Sequence, residues 1–502
     1  MTQNALTSQR TDRYAGVLLA TACGDALGAP HEFGGPIAPS TPLTMTGGGP
    51  FGFAVGEYTD DTAMAIPIAR AVAAGHDLRD SAVIAQIMSQ WLEWLAVTKD
   101  VGVQTGSILR ALRAGGDITE EAARALSREH HEHNGGRSGG NGALMRTAPV
   151  ALAFVDDPVA LTAVARRIAE LTHWEPDAGD ACVLWCHAIA LAVSTGELNL
   201  RAGLDYLPGD RQTAWSELID EAENSTPDMF HHNNGWVVAA LQGAWSAITM
   251  GLRAGEGAIG MIERAVCGGG DTDTVAAIAG GLVGAAFGAS AMPARWRRTL
   301  HGWGGENGGT LTARDLINFG VMAQRRGKLT EHSGWPLADR FEPDHALGTY
   351  VPHPHDPGVI MASIDMLDEL PDDIDAVVSM CRIGNKQVAD REVIEFWLID
   401  RESYNLDPEF VLRDAADTIA ELRAEGKKVL LHCWAAQSRT PSAAIAYSVL
   451  HLGVPLEQAD PEVRDALPST WYNPELLDAL ASLSEGADTT KHPVFPNPRG
   501  GK

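Results

Sequence analysis

The sequence predicts two unlike domains in one chain: an all-α domain over residues 10–322 and a small α/β domain over 341–486, joined by a linker at 323–340. Three observations carry this reading. Apolar residues recur at helical spacing in segment after segment up to about residue 320, with scarcely any strand-like alternation. The composition then shifts after Arg325-Arg326-Gly327, where Pro, His and Asp accumulate as far as Pro357. Beyond that point, short apolar runs of strand length alternate with helical periodicity. A chain of 502 residues is also too long for one ordinary domain.

In the first domain the periodicity predicts helices over 81–97, 157–171, 180–194, 236–250 and 274–288, separated by Gly-rich loops at 47–56, 135–142 and 268–270. The most apolar stretch, 275–291, falls just short of a membrane span. It is built of Gly and Ala, which suits close helix packing better than contact with lipid. In the second domain 376–380 (AVVSM) and 428–431 (KVLL) read as strands, with helices over 407–425 and 441–452. Residues 487–502, ending in PNPRGGK, have the composition of a disordered tail.

Bulk properties narrow the function. Hydrophobic residues make up 45% and charged residues 21%, enough for a substantial core. The net charge of −27 argues against non-specific nucleic-acid binding and against anionic membranes. The opening MTQNALTSQRTDR lacks an apolar signal region, so a soluble, cytoplasmic protein is expected. Six cysteines without framework spacing then read as reduced thiols. Cys182 and Cys186 share a helix face, but a buried structural pair explains them better than a metal site. The sequence assigns no oligomeric state.

Two acidic clusters carry the chemistry of the first domain: Thr59-Asp60-Asp61-Thr62 and Asp271-Thr272-Asp273-Thr274, each beside a Gly-rich turn and ahead of an apolar helix. Alone, either would serve as a helix N-cap, a role that favours Asp and Thr. As a pair they offer the several hard oxygens that a two-ion magnesium or manganese site requires. The residues by themselves point to a binuclear hard-metal hydrolase.

Five motifs in order say more: Gly24-Asp25-Ala26-Leu27-Gly28, Thr59-Asp60-Asp61-Thr62, Gly140-Asn141-Gly142-Ala143-Leu144-Met145-Arg146, Thr172-His173 and Gly269-Gly270-Asp271-Thr272-Asp273-Thr274. Over roughly residues 12–320 this series resembles the ADP-ribosylglycohydrolase family, which includes the dinitrogenase reductase-activating glycohydrolase. The resemblance implies an all-α fold around two magnesium or manganese ions, with Thr59, Asp60 and Asp61 as ligands from one side and Asp271, Asp273 and Thr274 from the other. Glu32 looks like the gating glutamate of the eukaryotic ADP-ribosyl-serine hydrolases, and the resemblance also implies a diphosphate loop of Ser138, Gly140, Asn141 and Gly142 and a place near the ADP-ribose for His173. Asp100-Val101-Gly102 resembles the Asp-Ile-Gly stretch of the arginine-specific members, where the aspartate meets the guanidinium of the modified arginine.

The expected reaction follows from those parts. An N-glycosidic bond breaks with oxocarbenium character, and an ionised carboxylate accepts the proton of the attacking water. The expected substrate is an ADP-ribosylated protein and the expected products are ADP-ribose and the free acceptor.

In the second domain His432-Cys433-Trp434-Ala435-Ala436-Gln437-Ser438-Arg439-Thr440 follows a strand and precedes a helix. A cysteine and an arginine at this spacing can cradle a phosphate between backbone N–H groups and a guanidinium. The same position lowers a thiol pKa. Over roughly 340–485 this part resembles the dual-specificity phosphatases. The resemblance implies Cys433 as nucleophile, Arg439 as phosphate clamp, Thr440 as the hydroxyl aiding thiolate release, and Asp400 as general acid. Ala436 stands where that family usually has Gly, so a positive φ there would strain the loop. Two rival classes remain at this stage: an ADP-ribose-binding or crystallin-like structural protein, and a phosphatase whose first domain only recognises ADP-ribose.

Overall fold

The computed structural model describes residues 3–305, 309–329, 335–388 and 390–485. The expected tail at 487–502 and part of the expected linker, 330–334, lie outside the described residues. The chain divides into two compact units, 1–337 and 338–502.

The first unit is helical. Its helices are α1 (Gln3–Gly28), α2 (Asp60–Ala73), α3 (Ser81–Trp94), α4 (Val103–Gly115), α5 (Glu120–His133), α6 (Ala148–Ala153) and α7 (Pro158–Ala169). There follow α8 (Pro176–Thr195), α9 (Gly209–Glu223), α10 (Val237–Arg253), α11 (Ala258–Cys267), α12 (Thr272–Phe287), α13 (Ala294–Arg297) and α14 (Ala313–Gln324). Every helix expected from periodicity is present, with ends shifted by up to about a turn. Asp157, expected as the first residue of a helix, caps α7 instead: its side chain accepts the Ala160 N–H at 3.1 Å. One feature departs from the all-α expectation. The short strands β1 (His301–Trp303) and β2 (Thr310–Thr312) pair antiparallel, and three residues are too few to show alternation.

The core of this unit is the pair α1 and α12. From Tyr14 to Gly28 on α1, and from Thr272 to Ala286 on α12, every residue is buried. A helix that is apolar all round belongs inside a protein. Small residues let the two backbones touch. A Cβ at Gly24 would fall 2.1 Å from the Ala276 carbonyl oxygen, and one at Gly284 would fall 2.1 Å from that of Gly16. Among the described residues, one helix, α8, is long and apolar enough to cross a membrane, and 83% of its apolar window is buried within the fold. That marks it as a core helix.

The second unit holds a five-stranded sheet of β3 (Tyr350–Pro352), β4 (Val359–Ser363), β5 (Ala376–Ser379), β6 (Glu392–Glu395) and β7 (Val429–Cys433), in the order β3-β4-β7-β5-β6. All neighbours are parallel except β3, which pairs antiparallel at one edge. β4, β5 and β7 are buried throughout, as continuous apolar runs in a parallel sheet should be. Around the sheet lie α15 (Pro408–Ala424), α16 (Arg439–His451), α17 (Leu456–Ala466) and α18 (Pro474–Glu485). Central β7 leads into the 434–438 loop and then α16, the strand–loop–helix order expected for a phosphate cradle.

Candidate functional site

In the first unit, α1, the turn after it, α2 and α12 bring carboxylates to one place. Oxygens of Asp25, Asp61 and Asp273 lie within 4.8 Å of one another, and so do oxygens of Glu32, Asp271 and Asp273. Asp273 belongs to both triads, so they form one centre.

Each member is held by local structure. Asp25 is wholly buried, and its carboxylate accepts the Thr59 N–H at 2.9 Å, the Thr62 N–H at 3.0 Å and the Thr62 hydroxyl at 2.6 Å. Those amides are the free donors of the first turn of α2, where an anion is favoured. Asp61 accepts the Thr59 hydroxyl at 3.0 Å, and the nearby Thr274 side chain also lowers it. The Gly102 backbone N–H lies close enough to lower Asp60, so the 100–102 loop is near the start of α2. Asp271 accepts the Asn141 side-chain amide at 2.7 Å, and its own N–H donates to Asn234 Oδ1 at 2.9 Å.

Crowding makes this centre costly without cations. Burial, then the charges of Asp271, Asp100, Asp60 and Asp25, pushes Glu32 up to about 9. Burial pushes Asp25 up to about 6. Asp100 also rises to about 6, through burial and then the Asp271 charge. Asp60, Asp61 and Asp273 all stand well above the usual carboxylate range, through burial first and neighbouring carboxylates second. Among the described residues, Asp61 Oδ1 and Glu32 Oε2 are buried without a hydrogen-bond partner. Hard oxygen donors with excess negative charge and unpartnered lone pairs fit divalent cations.

The second half of the expected site adjoins the first. Asn141 ties it to Asp271, and its amide also donates to the Asn234 carbonyl at 2.9 Å. A Cβ on Gly140 would lie 3.2 Å from His173 Nε2, and one on Gly142 would lie 3.1 Å from His173 Cε1. The loop and this buried histidine are therefore in contact. Ser138 is otherwise engaged: its N–H donates to Glu175 Oε2 at 2.6 Å, and its hydroxyl shares a 2.7 Å hydrogen bond with His131 Nδ1. That amide is bonded to a carboxylate rather than held free for a diphosphate. Cys182 and Cys186 are buried thiols, and Cys186 Sγ lies 3.3 Å from the Thr147 hydroxyl.

Two residues of this centre had no assigned role in the sequence reading. Asp25 stands in the Gly24–Gly28 motif, and a carboxylate inside an apolar helix is itself a signal. Asn234, which holds Asp271 and also donates to the Gly269 carbonyl at 2.9 Å, lies in a His-Asn loop with no such signal.

In the second unit, Cys433 ends β7 and is 2% exposed. Arg439 opens α16, and its Nη1 donates to the carbonyls of Met380 at 3.1 Å and Leu398 at 3.2 Å. The guanidinium is thus pinned at the C-terminal edge of the sheet, where parallel α/β proteins place ligands. Asp400 accepts the Ser438 hydroxyl at 2.8 Å and lies 4.0 Å from Arg439 Nε. Arg439 Nε and Thr440 Oγ1 are buried without a hydrogen-bond partner among the described residues. His432, before the cysteine, is pushed down to about 4 by burial and is neutral at pH 7. Ala436 adopts φ 55°, the left-handed conformation that disfavours a side chain.

Comparison with known proteins agrees with the first half. The family model described as ADP-ribosylglycohydrolase matches residues 6–331. The ADP-ribosyl-[dinitrogen reductase] glycohydrolase of Rhodospirillum rubrum is 30% identical over 302 residues, 58% of this chain and 90% of that protein. The ADP-ribosylarginine hydrolase Tri1 of Pseudomonas putida (strain GB-1) is 29% identical over 294 residues, covering 57% and 74%. A solved ADP-ribosylglycohydrolase-related protein complex aligns with TM-score 0.50 at 29% identity, over 64% of this chain and 99% of that one. Human DUSP28 aligns over 30% of this chain and 97% of its own, with 18% identity and TM-score 0.25. With the family match reaching from residue 6 to residue 331, the chain belongs to the ADP-ribosylglycohydrolase family, and it carries a C-terminal α/β region that resembles the dual-specificity phosphatases.

Proposed function

We propose that the N-terminal unit removes ADP-ribose from modified arginine side chains of proteins, using two magnesium or manganese ions. The observation that carries the arginine reading is the position of Asp100. Its charge raises both Glu32 and Asp60, so it lies close to the acidic centre without being fully buried. Its own value of about 6 leaves it mostly ionised at pH 7. An ionised carboxylate there can take a guanidinium by two charge-assisted hydrogen bonds. The name of the Pseudomonas relative, an ADP-ribosylarginine hydrolase, supports the same reading.

Thr59, Asp60, Asp61, Asp271, Asp273 and Thr274 would hold the ions, with Asp25 in the same triad. When bound, such ions bind ribose hydroxyls and lower the pKa of a coordinated water. The chain supplies the rest. Asp60, 8% exposed against 0% for Asp61, would be the carboxylate to accept the proton of the attacking water once the ions hold it in its charged form. Asp61 is held by the Thr59 hydroxyl at 3.0 Å. Glu32, at the edge of the centre beside Asp271, meets the ribose end of the ligand, and the Gly140–Gly142 loop takes its diphosphate. The full ligand set supports an enzyme over a crystallin-like structural protein, since buried carboxylates destabilise a fold that has no use for them.

In the C-terminal unit Cys433, Arg439, Asp400 and Thr440 would act on a phosphate ester as nucleophile, clamp, acid and thiolate-release hydroxyl. Ala436 makes that loop costly to hold, so turnover is expected to be low.

The test of the arginine reading is release of ADP-ribose from matched arginine-linked and serine-linked peptides with magnesium present. Asp100→Ala should cost the arginine reaction roughly 1.5–3 kcal/mol, about 10- to 150-fold in rate, while binding of free ADP-ribose stays unchanged. Wild-type preference for the serine linkage, or equal loss in both assays, would refute it.

A further inference from the structure

Behind the glycine loop lies a buried chain of polar groups for which the reaction described above has no use. Arg146 is fully buried. Its guanidinium sits 4.4 Å from the centroid of the Trp91 ring, and its Nη2 donates to Thr172 Oγ1 at 2.6 Å. Thr172 Oγ1 lies 2.8 Å from His173 Nδ1. Thr172 and His173 are 1% and 2% exposed, so none of these groups can turn to water instead.

The direction of these bonds follows by counting hydrogens. Burial lowers Arg146 to about 10, which leaves it charged at neutral pH, so its N–H can only donate and the Thr172 oxygen must accept. The hydroxyl hydrogen of Thr172 then needs an acceptor, and His173 Nδ1 is the one within reach. Were Nδ1 protonated, that hydroxyl hydrogen would be buried with nowhere to go, which is costly. Burial, and then the Arg146 charge, also holds His173 well below its ordinary range, so the ring is neutral and carries a single N–H. With Nδ1 accepting, that hydrogen sits on Nε2. This atom has no partner among the described residues and lies 3.2 Å from where a Cβ of Gly140 would stand and 3.4 Å from that of Gly142.

We infer that Arg146 and Thr172 form a tautomer lock, holding His173 as an Nε2–H donor that faces the Gly140–Gly142 loop and gives its hydrogen bond to an oxygen of bound ADP-ribose. Arg146 and Thr172 are positioning residues, neither of which touches the ligand. A neutral donor suits this place, because an imidazolium beside the buried guanidinium would add a second uncompensated charge. The geometry also gives the Thr172-His173 pair a physical reason: the hydroxyl and the ring are neighbours in one relay. The inference rests on reading the loop as the ADP-ribose site.

The lock can be read without any ligand. In the full chain labelled with [15N]histidine, His173 is assigned by its loss in His173→Gln. Its Nδ1 should resonate as a hydrogen-bonded acceptor and its Nε2 should carry the proton, unchanged from pH 6 to pH 8. In Thr172→Val the Nδ1 signal should move away from that value, and calorimetric binding of ADP-ribose with magnesium present should weaken roughly 3- to 10-fold. Thr172→Ser should restore both. A protonated Nδ1 in the wild type would overturn the inference, with no variant needed. So would His173 resonances in a folded Thr172→Val that match the wild type. If wild-type protein bound no ADP-ribose at all, the proposed function and the ligand assignment would fall together, and the resonances would still decide the lock.

Discussion

Asp25 offers the most direct test of the acidic centre, because its contribution changes sign with the presence of cations. Its carboxyl is wholly buried and its folded value is raised by burial from 3.8 to about 6. A carboxyl raised in this way stabilises the fold fully below its unfolded value, and the contribution is lost as pH rises through the folded value. In metal-free protein the Asp25 loss should therefore run from about pH 4 to just above 6, and Glu32, raised from 4.5 to about 9, should carry the decline on to about pH 9. A shift of about two units corresponds to about 3 kcal/mol. For a helical unit of about 335 residues the unfolding entropy is roughly 0.7 kcal/mol/K, so the change in Tm is about 4 °C. The assay is thermal unfolding in EDTA from pH 4 to pH 8, with Asp25→Asn as reference. Surface ion pairs titrate alike in both proteins, so the difference between the two curves reports Asp25 together with the upward push its charge gives Glu32, Asp60, Asp61 and Asp273. Magnesium at a hundredfold excess over its Kd adds about 2.7 kcal/mol per site, and should return most of the loss at pH 8. A flat difference curve would refute the reasoning, as would one in which Asp25 stabilises more at high pH. Either would mean that the centre holds Asp25 ionised without cations.

Asp273→Asn should abolish ADP-ribose release while the far-UV circular dichroism stays that of the wild type, since this carboxylate serves the ions and not the core; retained turnover at saturating magnesium would refute its place as a ligand. Gly28→Ala puts a Cβ 2.5 Å from the Asp273 backbone, so magnesium affinity by calorimetry should fall ~10-fold or more, and unchanged affinity would show that this contact does not position Asp273. Ala436→Gly should stabilise the C-terminal unit by about 1 kcal/mol in chemical unfolding and raise hydrolysis of an aryl phosphate; no gain in either would show that the loop holds φ 55° without strain. EDTA should silence ADP-ribose release and spare aryl phosphate hydrolysis, whereas Cys433→Ser should do the reverse, and loss of both activities in either case would mean that the two sites depend on each other.

Much of this centre was legible in the sequence because its ligands come as local doublets. Asp60 with Asp61 and Asp271 with Asp273 each sit within a few residues at a helix start, so spacing alone marks them. Asp25 was visible only as part of a motif. Its role appears when α1 delivers it to the amides of Thr59 and Thr62, a contact made across 34 and 37 positions of the chain. Asn234 was illegible for a related reason, as an amide that orients another residue's carboxylate has no spacing rule. In the C-terminal unit the buried strands β5 and β7 show as apolar runs, while the edge strands do not: β3 is three residues ending in Pro, and β6 is Val-Ile flanked by Glu. The strain at Ala436 was readable as a condition, and the backbone angle meets it.

The seam between α1 and α12 bears on how freely such a site can diverge. Where side chains separate two helices, a substitution can be absorbed by a rotamer change, and the spacing drifts by tenths of an ångström. Here carbonyl oxygens lie against glycine Cα atoms, and backbones have no rotamers to give. The distance from Asp25 to Asp273 is therefore set by a dry joint without adjustable parts. Loops such as 100–102 hang outside that joint. A lineage can rewrite those loops while the spacing of the carboxylates stays as the seam sets it.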